Sequence, residues 1–157
     1  MQAAKDSFYV SLRDRLATLN PLRELTVNGI SRPAILVAEN ELGCGQECAD
    51  AFYLHWGAAS CVVVHSSSLM KLDCMISYGT LANGTDRGRT MGSLDAELIS
   101  ICEPRVANKM NHAQSPPVPL GTNVFWSLPA LSEMSDEEGR YGKTAKVTVY
   151  FFQEEQA

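Results

Sequence analysis

"KLDCMISYGTLA", residues 71–82, alternates with a period of two. Leu72, Cys74, Ile76 and Tyr78 fall on one side of an extended chain, and Asp73, Met75, Ser77 and Gly79 on the other. Successive side chains of a strand point to opposite faces, so this pattern predicts a half-buried strand of an antiparallel sheet. Upstream, "AFYLHWGAASCVVVHS" (51–66) is dominated by aromatic and β-branched residues and reads as one long strand or two collinear ones. Gly57 in its middle predicts a bulge or a sharp bend. "SSSLM" (66–70) between the two is a turn. Near the end, "KTAKVTVYFF" (143–152) places Ala145, Val147, Val149 and Phe151 on one face and closes the domain as a strand.

Helices flank this strand-rich centre. Phe8, Leu12, Leu16 and Leu19 recur at helical spacing, with Asp6 or Ser7 as N-cap and a start near Phe8. Asn20-Pro21 ends that helix, because the residue before proline avoids the helical region. In "TDRGRTMGSLDAELIS" (85–100), Ser93 reads as the N-cap of a second helix. Asp95 and Glu97 then favour the positive end of its dipole, and Leu94, Leu98, Ile101 and Cys102 form its buried face. "RELTVNG" (23–29) is a short strand and turn, and Ile35-Leu36-Val37 is a strand covered on both faces. Residues 39–50 read as an exposed loop, 106–119 as an irregular connector with a proline run, and 122–131 as a strand interrupted by Pro129. "SEMSDEEGRYG" (132–142) is a polar hairpin tip. The element order is that of an α+β fold: a mainly antiparallel sheet with two main helices packed on one side, in a single domain spanning 1–157.

A chain of 157 residues buries about 70% of its unfolded surface, so neither metal nor disulfide is needed to hold it. The formal charge of −5, with cations scattered except at Arg87, Arg89 and Arg105, argues against nucleic acid as the main partner. The longest apolar runs, such as 34–38 and 61–64, are far short of the ~20 residues a spanning helix needs. The first residues carry charge throughout and lack an apolar signal region, which predicts a cytosolic protein. Five cysteines, an odd number, point to reduced thiols. Cys61, Cys74 and Cys102 sit in apolar patterns, whereas Cys44 and Cys48 share a polar loop. Zinc would need two further ligands, and the only nearby imidazoles, His55 and His65, read as strand residues. Two thiols incidental to an exposed loop, able to oxidise together, is the plainer account.

Candidate chemistry is sparse. Glycines 84, 88 and 92 precede a helix, but the phosphate-loop pattern G-x-x-x-x-G-K-[ST] is absent and Asp95 and Glu97 would repel an anion. No serine or cysteine sits in a G-x-S-x-G elbow, and His55, His65 and His112 lack an evident nucleophilic partner. Asp86 is suited to bonding its own loop backbone. Glu137, Glu138, Glu154 and Glu155 read as solvated charges. Neither a catalytic set nor a cofactor or metal site is expected.

"DAFYLHWGAASCVVV" (50–64), followed by "LDCMISYGTLANGTDRGRTMGSLDAEL" (72–98), is similar to the tail-terminator and tail-completion (minor tail) proteins of long-tailed bacteriophages. In that group an N-terminal helix leads into strands, a strand ending near an Asp-Arg turn enters a second helix, and a hairpin closes the domain. The resemblance implies a virion structural protein of a phage or prophage. Such proteins form rings, often hexameric, that cap the growing tail tube and face the head connector. The partners implied are other copies of the chain, tail-tube protein and head-connector protein, with no membrane. The location implied is the bacterial cytoplasm during assembly, then the virion tail. A ring needs two complementary patches per subunit, and Asp86, Arg87, Arg89, Glu138 and Arg140 are the expected contacts. The alternative is a small-molecule-binding or thiol-dependent enzyme, which requires a deep apolar pocket holding a perturbed His or Cys. A third is a generic adaptor domain.

Overall fold

The computed structural model describes residues 1–41, 47–63, 68–82 and 84–153. Cys44, His65, Glu154 and Glu155 lie outside the described residues. The chain runs α1 (Gln2–Leu19), β1 (Glu24–Val27), β2 (Ile30–Pro33), β3 (Ile35–Val37), α2 (Ala38–Glu41), β4 (Phe52–Val63) and β5 (Leu69–Leu81). It continues as α3 (Arg89–Ile101), β6 (Val106–Asn111), β7 (Val118–Trp126), β8 (Ala130–Leu131), β9 (Ser135–Glu137) and β10 (Arg140–Phe152). The main sheet has the order β3-β4-β5-β10-β7-β6, with β8 and β9 also pairing along β10. Among the described residues, only β3–β4 is parallel; every other pair is antiparallel. The fold is α+β.

The centre of the sheet follows from the alternation in 71–82. β5 and β10 pair along their full length, with Leu72 opposite Val149, Cys74 opposite Val147 and Ile76 opposite Ala145. All six are buried against the helices, each larger aliphatic contributing roughly 1.5–3 kcal/mol. In β4 the register with β5 shifts between Trp56 and Ala59, which is the bulge that Gly57 requires. A Cβ at Gly57 would sit 3.3 Å from Asp73 Cβ, so the glycine lets the strands stay close there. Asn28 (φ 50°) and Gly29 (φ 78°) turn the separate β1–β2 hairpin, the two left-handed residues a tight two-residue loop demands.

The sheet curls around α1. Phe8 packs edge-on against Trp56 of β4 at 5.9 Å and against Trp126 of β7 at 5.0 Å, although β5 and β10 lie between those strands. Phe8, Leu12 and Leu16 are fully buried in this trough, whereas Leu19 is 49% exposed and ends the buried stripe one turn earlier than its spacing implies. A second, smaller cluster joins Ala34, Leu36, Ala51 and Tyr53 to Leu25 and Val27 of β1. It covers the outer side of β3 and β4, since Tyr53 aligns with Ser77 rather than with the buried Ile76.

Several boundaries differ from the sequence expectation. α1 starts at Gln2, not near Phe8, because Ala4 is already buried and Gln2 Nε2 donates to Asp6 Oδ1 one turn on. Ser7 is no cap: it is buried and bonded to β6. α3 starts at Arg89, four residues before Ser93, because the Asp86 carboxylate accepts from Thr90 N and Gly88 adopts a left-handed φ of 77°. Asp95 and Glu97 therefore lie mid-helix and act through specific partners rather than the dipole. Residues 106–119 are not irregular throughout but hold β6 and the start of β7; a register shift between Asn108 and Met110 erases the alternation. The 132–142 segment contains β9 and a two-residue turn at Glu138-Gly139.

Candidate functional site

The thiols do not form a reactive site among the described residues. Cys74 and Cys102 are buried, and burial pushes both thiols up, Cys102 to about 12 with Arg15 partly opposing the shift. A thiol so displaced is almost wholly protonated and a poor nucleophile at neutral pH. Cys48 and Cys61 are exposed, and Cys61 Sγ contacts Met70 Sδ at 3.3 Å. No group of His, Cys, Asp and Glu among the described residues has the geometry to hold a metal ion.

One polar cluster was not anticipated. His55 Nε2 lies 2.8 Å from Glu47 Oε1 and 2.7 Å from Ser77 Oγ, and Ser77 Oγ donates to Glu47 Oε1 at 2.6 Å. A Ser-His-acid relay needs the carboxylate on one ring nitrogen and the hydroxyl on the other. Here both meet Nε2, so the carboxylate competes with the base position instead of supporting it. The cluster pins a loop. Arg140 Nη1 and Nη2 donate to the carbonyls of Glu47 and Cys48 at 2.6 and 3.2 Å, and Cys48 N donates to Tyr53 Oη at 2.7 Å. Burial beside this loop raises the Tyr53 phenol to about 12. An open groove of about 440 Å³ runs past Glu47, Ser77, Ser132, Glu133, Ser135 and Arg140. Sequence could not reveal the cluster, since it depends on the β4–β5 register and on where the 47–50 turn folds back.

The five expected contact residues gather at one end of the molecule. Leu81 pairs with Arg140, and Ala82 N donates to Gly139 O at 2.6 Å. The turn carrying Asp86, Arg87 and Arg89 and the tip carrying Glu138 and Arg140 therefore both leave the same end of the β5–β10 ladder. Arg87, Arg89 and Glu138 are exposed, while Asp86 and Arg140 are committed within the chain.

The outer groups of the two end strands, β3 and β6, are engaged by side chains. At β3, Tyr9 Oη donates to Ile35 O at 3.0 Å and Glu41 Oε2 accepts from Val37 N at 2.9 Å, with Arg32 bonded to both side chains. At β6, Arg15 Nη2 donates to Val106 O at 3.1 Å and Ser7 Oγ accepts from Met110 N at 2.8 Å. Edge groups occupied in this way cannot template another strand. The outer face of β5, β10 and β7 is uncovered by contrast. It presents Met75, 40% exposed, and a stack of Phe125 on Tyr150 with ring centres 5.8 Å apart.

No family model matches this chain, and no curated protein matches it. No helix among the described residues is long and apolar enough to cross a membrane.

Proposed function

We propose that this chain is a structural subunit of a phage or prophage tail, a tail terminator that forms a homo-oligomeric ring at the end of the tail tube. It meets tail-tube and head-connector proteins there through side-chain surfaces. The observation that carries the reading is the uncovered face of the sheet bearing Met75 and the Phe125–Tyr150 stack, in a molecule whose end strands β3 and β6 both have outer groups engaged by side chains. Lys71 stands opposite Tyr150, and Lys146, paired to Asp73, stands opposite Met75, so the face sets aromatic and aliphatic side chains among charged ones, the mixed makeup of a protein-facing surface. Engaged groups on β3 and β6 disfavour strand addition at those ends and leave that face to meet partners. The buried, displaced thiols and the blocked imidazole count against the thiol-enzyme alternative.

Native mass spectrometry and light scattering of the purified chain, alone and with tail-tube protein, test this. A closed oligomer of more than two subunits, or one formed on the tube protein, is expected. A chain that remains single with the tube protein present overturns it.

A further inference from the structure

We infer that the end of the sheet carrying the β9–β10 turn is a self-complementary surface that docks on the same surface of a second copy of this chain, related by a twofold axis. That end carries two turns of opposite charge. The tip presents Asp136, Glu137 and Glu138, all exposed, and the turn before α3 presents Arg87 and Arg89, also exposed. Among the described residues, none of these five side chains has a hydrogen bond or ion pair within its own chain. The pairing of Leu81 with Arg140 and the bond from Ala82 N to Gly139 O put the start of both turns at the same end of the β5–β10 ladder.

An exposed leucine adjoins the acidic tip. Leu81 is 66% exposed and, with Glu137, Glu138 and Arg140, lines a groove of about 430 Å³; Met134, 49% exposed, adjoins it in sequence. An exposed apolar side chain set among charged ones suits a small, largely polar contact. The symmetry follows from where the charges sit. In a twofold contact, patch i of one copy meets patch j of the other and j meets i, so both signs must lie on one surface. A head-to-tail ring needs the two signs on different sides of the subunit. Both turns are also preformed: Glu138 and Gly139 have φ of 50° and 78°, Arg87 and Gly88 have φ of 57° and 77°, and Asp86 anchors the second turn through Thr90 N. Preformed turns lose little freedom on docking. The contact stands independently of the tail reading; in a ring it would join two rings face to face.

Charge reversal tests it. Mass is measured by light scattering at low ionic strength for the wild-type chain, for R87E/R89E, for E137K/E138K, and for an equimolar mixture of the two variants, with thermal melts confirming that each is folded. Each variant alone should halve the wild-type mass, and the mixture should restore it. Halving to a single chain supports the twofold contact and leaves the ring to the measurement with tube protein; halving to a larger closed assembly supports both. A wild-type mass unmoved by either reversal overturns the inference. So does a reversal that takes an assembly of more than two chains directly to single chains, because that marks a head-to-tail contact.

Discussion

Arg23 grips Glu97 with two donors, Nε to Oε2 at 2.7 Å and Nη2 to Oε1 at 3.0 Å. Asn20 Nδ2 adds a third bond to the same carboxylate at 2.6 Å. The residues that end α1 are thereby tied to the middle of α3, and both charged side chains are largely buried. Burial alone would raise the Glu97 carboxyl, but the hydrogen bonds from Arg23 and Asn20 and the Arg23 charge outweigh it and hold the group below its ordinary value. Glu97→Gln should cost about 1.5–3 kcal/mol at neutral pH, the range for hydrogen bonds to a charged group. A carboxyl depressed in the folded state contributes stability that is present above its unfolded value, about 4.3, and lost as pH falls through the folded one. Melting temperatures of wild type and E97Q should differ at pH 7 and converge in acid. A constant gap across that range would show that the charge is not what Arg23 holds.

Cysteine reactivity should divide with burial. Cys48 and Cys61 should react with a thiol reagent in the folded protein, whereas Cys74 and Cys102 should react only on unfolding, their thiols displaced upward by burial. Peptide mapping after timed labelling reads the order. Rapid native labelling of Cys102 would revive the thiol-enzyme alternative.

The edge closure makes a separable claim. Tyr9→Phe removes the donor to Ile35 O, and Glu41→Ala removes the acceptor for Val37 N. Each leaves an edge group without its bond, at a cost of about 1–3 kcal/mol where the site is dry. The double variant should gain concentration-dependent aggregates rich in β-structure, detected by light scattering and infrared spectroscopy, since an opened edge templates further strands. Soluble behaviour identical to wild type would show that these side chains do not guard the edge.

How much of this was legible in the sequence depended on how local each cause is. The alternation at Leu72, Cys74, Ile76 and Tyr78, the bulge at Gly57 and the end of α1 at Asn20 follow from neighbouring residues alone, and the structure bears them out. The helix starts failed because Ala4 is fixed by burial and α3 by Asp86, seven residues ahead of the expected cap at Ser93. β6 was hidden because its register breaks at Asn108 and its outer groups are satisfied by Ser7 and Arg15, far away in sequence. Arg140 shows the same limit: in sequence it belongs to a charged tip, but in space it reaches 93 residues back to the carbonyl of Glu47.

Glycines at the outer end of the sheet should divide by the space around them. A Cβ on Gly79 would lie 2.5 Å from Tyr141 O, a backbone atom of the paired strand, whereas a Cβ on Gly84 would meet nothing within 4 Å. Gly79 N–H and C=O cannot move away freely, because Gly79 O accepts from Asp50 N at 2.7 Å and Gly79 faces Gly142 in the ladder. Gly79→Ala must therefore spread β5 from β10, an overpacking cost of about 1–3 kcal/mol or more. Gly84→Ala should be neutral or slightly stabilising, since it restricts only the unfolded chain. Denaturant titration of the two variants gives the comparison. Equal midpoints would mean that β5 and β10 already stand further apart than the 79–142 pairing implies, and the docking end built on Leu81 and Arg140 would lose its rigid base.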